Sequence, residues 1–299
     1  MIQKLDVKLI GALIAIALIW GTTYLGIRIA VETIPPWFVA AIRQSIASII
    51  LLVILIKRHE LSWKGWAHLK RQVILGSLMI VVANGMTTVA EQSIPSGLTS
   101  LLNAVNPIII FLVCVLIGLQ RPSLKGFLGV IIGFIGVAFI FRDGFSALLD
   151  PNYKQGILYI CVALTGWTIG TIYIKKNNHK SDQIFLDLFY QFAFSAIAQF
   201  ILAFIFSGDA DVKSWSTRSL LAVAYLALFG SVIAFFCFHY ALKRVSPPQV
   251  SMLSYFNTII ALFLGWLILD EIITFDIIIA TALIIFGVFI TNYKKEKRL

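Results

Sequence analysis

The stretch Ser100-Leu101-Leu102-Asn103-Ala104-Val105-Asn106-Pro107-Ile108-Ile109 has a counterpart 151 residues later, Ser251-Met252-Leu253-Ser254-Tyr255-Phe256-Asn257-Thr258-Ile259-Ile260. At this offset Ser100, Leu102, Asn106, Ile108 and Ile109 meet Ser251, Leu253, Asn257, Ile259 and Ile260. Farther on, Gly136 and Val137 meet Gly287 and Val288. Upstream, Ala83 and Ala90 fall on Ala234 and Ala241, while Trp20 meets Trp167 at an offset of 147. Apolar identities come easily in an apolar chain, so the paired asparagines and the constant offset carry the weight. The chain reads as two related halves, 1–145 and 146–299.

Outward from this repeat, the composition places both halves in a membrane. Hydrophobic residues make up 60% and charged residues 13%, where soluble domains carry roughly 25% charged residues. The mean hydropathy is +0.94. A spanning helix needs about 20 apolar residues, and that ruler finds ten candidates: 9–31, 37–56, 72–91, 96–118, 124–141, 155–174, 183–207, 218–240, 248–269 and 275–292. Lys4 and Lys8 ahead of the first run resemble the start of a signal peptide. The run continues to about Val31 without a small-residue cleavage site, so it reads as a first span. Cys114, Cys161 and Cys237 all fall in apolar runs with no CxxC pair, as small packing residues do.

The net charge of +10 does not describe a nucleic-acid binder, because Lys and Arg sit in short segments between apolar runs. With the N-terminus inside, 18 of the 24 Lys and Arg fall on the cytoplasmic side, four fall opposite, and Arg28 and Arg43 lie within spans one and two. This bias predicts that both termini are cytoplasmic and that the span count is even. Five spans per half is an odd number, so the second half starts on the side opposite the first and the repeat is inverted. The expectation is an all-α protein of ten transmembrane helices in the cell inner (plasma) membrane, arranged as two inverted five-helix repeats. Inverted repeats are common in secondary transporters, where related halves exchange conformations around a central site.

The motifs resemble the drug/metabolite transporter superfamily, specifically its ten-helix EamA-type exporters. Trp20-Gly21-Thr22-Thr23-Tyr24 looks like that family's WG signature, and Pro35-Pro36-Trp37-Phe38-Val39-Ala40-Ala41-Ile42-Arg43 resembles its proline-to-arginine stretch. Pro95-Ser96-Gly97-Leu98 with Asn106-Pro107 matches span four, and Gly265-Trp266-Leu267-Ile268-Leu269-Asp270-Glu271 resembles the end of span nine. Gln120 departs from the usual Glu, Asp270 from the usual Gly and Thr258 from an expected proline. The resemblance implies outward transport of amino acids, other metabolites or drugs.

Candidate solute-binding residues follow from depth. At about 1.5 Å per residue, Trp20, Asn84, Asn106, Trp167 and Asn257 lie roughly 13–18 Å from a helix end, near the middle of a core about 30 Å thick. Amides at that depth must face protein or a watery cavity. Ser100, Asn103 and Asn106 recur at helical spacing, and Ser251, Ser254 and Asn257 take the three equivalent positions. Such stripes suit either a solute site or interhelical hydrogen bonding. Pro107 removes the amide that would bond the carbonyl of Asn103. Trp20 with Tyr24, and Trp167 with Thr171, share a helical face at i, i+4. Tyr255, about 100° round the helix from Ser254, is expected at the cavity rim.

Charges within the spans are few. Arg43, about 9 Å into span two, is expected to pair with Glu32 or Glu91 or to attract an anion. Glu91 and His239, near the ends of spans three and eight, are gating or ion-coupling candidates alongside Arg43. Gly129 and Gly133 permit close helix approach within a monomer or across a homodimer. No His, Asp or Glu constellation of an enzyme appears, and nothing in the sequence asks for a metal or cofactor. The expected partners are a small neutral or zwitterionic solute and membrane lipids, with a passive facilitator as the alternative to a carrier.

Overall fold

A computed structural model describes residues 6–94, 96–140, 151–177, 183–208, 211–269, 279, 282–287 and 290. These residues are helical with no strand among them. The reason is the solvent: in lipid the backbone has no water to bond, so an apolar run must satisfy its own N–H and C=O groups. The elements are α1 (Val7–Ala30), α2 (Pro36–Lys57), α3 (Trp66–Ser93), α4 (Ser96–Asn103), α5 (Asn106–Leu116), α6 (Leu124–Ile140), α7 (Lys154–Asn177), α8 (Ile184–Ser207), α9 (Thr217–Leu242), α10 (Pro247–Ser251) and α11 (Leu253–Leu269).

Local chemistry sets the starts. The Asp6 carboxylate accepts the Leu9 N–H at 3.2 Å and caps α1, satisfying one orphan donor and placing negative charge at the positive helix end. Pro36 opens α2 with its backbone angle preset. Ser216 Oγ accepts the Ser219 N–H at 3.1 Å and caps α9. Gln249 Oε1 accepts the Ser246 N–H at 3.0 Å ahead of α10.

Among the described residues, six segments are long and apolar enough to cross a membrane: Val7–Ala30, Pro36–Lys57, Trp66–Ser93, Pro151–Asn177, Ile184–Ser207 and Thr217–Leu242. They coincide with expected spans one, two, three, six, seven and eight. Spans four and nine, expected as continuous helices, are each broken, between α4 and α5 at Ala104–Val105 and between α10 and α11 at Met252. The tenth span, 275–292, lies mostly outside the described residues, and Asp270 and Glu271 lie wholly outside them.

Two more irregularities fall at matching places. Gly76–Asn84 within α3 and Leu226–Ile233 within α9 are wound as π-helix, and they start 150 residues apart. π-segments cost hydrogen-bond geometry and concentrate at functional sites. Helices of one half pack chiefly on helices of the other: α1 on α9 and α11, α2 on α8 and α9, α3 on α7 and α8.

Small residues permit this closeness. A Cβ on Gly21 of α1 would stand 2.8 Å from Ile260 Cβ of α11, and one on Gly166 of α7 would stand 2.6 Å from the Leu78 carbonyl of α3. The Gly129/Gly133 pair of α6 is met within the chain by Gly287, whose Cβ would fall 2.5 Å from both the Gly129 carbonyl and the Gly133 amide.

Candidate functional site

Where α1 to α5, α7 and α9 to α11 converge lies a cavity of about 120 Å³, roughly eight to twelve times the volume that admits one water. Eight of the ten proposed binding residues line it: Trp20, Tyr24, Asn84, Asn103, Asn106, Trp167, Ser254 and Asn257. Arg43, Thr23, Thr87, Ser251, Phe235 and Phe238 join them.

One wall is aromatic. Trp20 and Trp167 meet edge to face with centroids 5.2 Å apart. Phe238 lies 5.4 Å from Trp20 and 5.0 Å from Trp167, and Phe235 lies 5.7 and 5.9 Å from the same two rings. The Trp20 indole N–H donates to the Gly230 carbonyl at 3.2 Å, fixing the ring to the π-segment of α9.

The other wall is polar, and its paired asparagines, Asn106 and Asn257, are each held by a neighbouring helix. Thr168 Oγ1 of α7 donates to Asn106 Oδ1 at 3.4 Å. The Asn257 amide, oriented to satisfy its surroundings, donates to the carbonyls of Leu253 and Ala17 at 3.0 Å each. Thus Asn106 is tied to the neighbour of Trp167, and Asn257 to α1, the helix that carries Trp20. The Asn103 amide donates to the Thr99 carbonyl at 2.9 Å. In the second half Thr258 replaces the proline, and its hydroxyl donates to the Ser254 carbonyl at 3.3 Å.

Arg43 is 1% exposed. Its Nε donates to Ser231 Oγ at 2.8 Å and its Nη1 to Asn84 Oδ1 at 3.2 Å. The expected pairing with Glu32 or Glu91 is not formed. Glu32 lies beyond α1, where Arg218 approaches it at 3.9 Å. Neither oxygen of the wholly buried Glu91 has a hydrogen-bond partner among the described residues. Arg28 Nη1 donates instead to the Glu91 main-chain carbonyl, at 2.6 Å.

Other expected residues stand apart from the cavity. Tyr255, expected at the rim, turns to α6: its hydroxyl donates to the Val130 carbonyl at 2.8 Å and its ring covers Gly133. One step round the helix from Ser254 suffices to carry it out of the wall. Thr171 is buried off the cavity, with no partner for its hydroxyl among the described residues. His239 and Asp187 border a separate space of about 10 Å³ near Lys175 and Lys243.

Sequence reasoning passed over a polar ladder on α8. Asp187, Gln191, Ser195 and Gln199 are buried at i, i+4 steps and face α3. Gln72 Nε2 donates to Asp187 Oδ1 at 3.1 Å, and Gln191 Nε2 donates to Gln72 Oε1 at 2.8 Å. Ser195 Oγ donates to the Gly76 carbonyl at 3.2 Å and Gln199 Nε2 to the Ile80 carbonyl at 3.0 Å. Both carbonyls belong to the π-segment of α3, so the ladder bonds the irregular backbone beside the cavity. The four-residue polar period in an otherwise apolar span was the available signal.

The model of the EamA-like transporter family matches the chain twice, over residues 8–142 and 154–293. The chain belongs to this family. Among its relatives, an uncharacterized inner membrane transporter, YedA of Escherichia coli (strain K12), is 34% identical over 262 residues, spanning 86% of this chain and 81% of the relative. The uncharacterized transporter YoaV of Bacillus subtilis (strain 168) is 27% identical over 293 residues, spanning 98% and 99% of the two chains. A crystal structure of another protein superposes with a TM-score of 0.76 at 18% identity, covering 95% of this chain and 96% of its own, and so shares the fold. The family and the names of these relatives point to a membrane transporter.

Proposed function

We propose that this protein is a secondary transporter that moves a small organic solute, an amino acid or related metabolite, outward across the inner membrane by alternating access. The observation that carries this reading is the cavity walled by Trp20 and Trp167, two residues at matching places in the two halves of the sequence, and by the amides of Asn106 and Asn257. A site shared by two halves opens to either side when the halves exchange conformations. The π-segments of α3 and α9 and the breaks in spans four and nine supply adaptable backbone next to it.

The architecture that goes with this function is ten spans in two inverted halves, 1–145 and 146–299, with both termini cytoplasmic. The two family matches, each covering one half, and the charge bias support it. A GFP fused to the C-terminus fluoresces if this orientation holds; a dark but full-length fusion refutes it.

Counterflow in proteoliposomes tests the carrier directly. Vesicles preloaded with an amino-acid mixture are expected to accelerate uptake of at least one labelled member, and Asn106→Leu with Asn257→Leu is expected to abolish that acceleration in a protein that still folds. Uptake without trans-acceleration identifies a passive facilitator. Unchanged counterflow in the double variant moves the site elsewhere.

A further inference from the structure

Among the described residues that line the cavity, Arg43 alone carries a charge. A guanidinium stays protonated in proteins and has five N–H donors, and the described residues accept two of them, through Ser231 and Asn84. Both acceptors are neutral. A charge buried at this depth among neutral partners is costly unless a counter-charge can reach it. Glu91 acts on it electrostatically, but no hydrogen bond joins the two, so the guanidinium has no directly bonded counter-charge among the described residues.

Position adds direction. Ser231 belongs to the π-segment of α9 and Asn84 to that of α3, so the two irregular segments hold the guanidinium from either side. Gly230 lets the guanidinium pack against α9: a Cβ there would stand 3.0 Å from Nη2. The planar fork is thus fixed, charged and at the cavity wall, the arrangement that receives a planar two-oxygen anion. One guanidinium and no lysine among the described lining residues matches one negative charge, not the two of a phosphate monoester.

We infer that Arg43 is the anchor for the carboxylate of the transported solute, with the apolar part of that solute against Trp20, Trp167, Phe235 and Phe238. This rests on the transport reading above and narrows it: the substrates are monocarboxylates, either amino acids or their deaminated acids. Asn103, Asn106 and Ser254 offer acceptors for an amino group, and the indole faces favour a cation. Organic cations and amines lacking a carboxylate are excluded as substrates.

The test uses the purified full-length protein and matched probe sets on three skeletons, those of leucine, phenylalanine and threonine. Each set contains the amino acid, its amide, its deaminated acid and its decarboxylated amine, with a phosphate monoester added. Affinity is read from thermal shift and tryptophan fluorescence. For whichever skeleton binds, loss of the carboxylate is expected to weaken binding by about tenfold or more, and Arg43→Gln is expected to bring acid and amide to equal affinity. Arg43→Lys should keep their order at lower affinity. Amides or amines that bind wild type as well as the acids overturn the carboxylate anchor and leave the cavity as a solute site. A preference for acids that survives Arg43→Gln, or a preference for the phosphate monoester, overturns it as well. If no probe in any form binds, the anchor falls together with the solute reading of the cavity. The wild-type comparison holds even if an Arg43 variant fails to fold.

Discussion

Trp20 and Trp167, separated by 147 positions in the sequence, meet with ring centroids 5.2 Å apart and planes at 79°. The pair joins α1 to α7 across that long sequence separation and forms a wall of the cavity. The decoration is asymmetric: Phe235 and Phe238, both from α9, flank the pair. Edge-to-face pairs contribute about 0.5–1.5 kcal/mol beyond area burial. Trp20→Ala and Trp167→Ala should therefore be non-additive in thermal denaturation, with a coupling energy of about 1 kcal/mol. Strict additivity would mean that the rings do not meet in solution.

The ladder from α8 leads to a second expectation. Ser195 and Gln199 bond two carbonyls of the π-segment in α3, and interhelical hydrogen bonds in membranes contribute about 0.6 kcal/mol on average, up to about 1.7. Ser195→Ala and Gln199→Leu should each lower stability by about that amount in detergent unfolding. They should also speed hydrogen exchange selectively over residues 76–84. Exchange that rises evenly along α3, or does not rise at all, would detach the ladder from the π-segment.

What the sequence made legible were features repeated or periodic within it. Asn106 and Asn257 were found because they pair at a constant offset, and Trp20 and Trp167 because depth can be counted along a helix. The break after Asn103 had a local cause in Pro107, but the one at Met252 had none. The π-segments were hidden for a related reason: carbonyls of the one in α3 are bonded by side chains of α8 that lie 119 positions away, and Gly230 of the one in α9 by Trp20 of α1. Rotation about a helix axis was the weakest inference. It put Ser254 and its neighbour Tyr255 on one wall; Ser254 lines the cavity, but the ring of Tyr255 turns to the close pass of Gly133. The partners of Arg43 escaped for the opposite reason: a buried cation suggests a carboxylate, yet Ser231 and Asn84, which hold it, are neutral.

Glu91 yields the last prediction. It is the buried carboxyl of α3, and its oxygens have no hydrogen-bond partner among the described residues. Removing a charged carboxylate from water without partners is far more costly than removing a neutral acid, so a group in this setting can exchange a proton when water reaches it. If it does so once per cycle, a proton gradient should accelerate solute movement in proteoliposomes. Glu91→Gln, which keeps the shape and removes the exchangeable charge, should erase that acceleration while leaving solute counterflow at zero gradient within about twofold. His239→Gln should leave the acceleration intact, because His239 borders the separate small space by Asp187 and not the cavity. A Glu91→Gln protein that still responds to the gradient would remove Glu91 from the coupling step, and a simultaneous loss of counterflow would place it in the architecture of α3 instead.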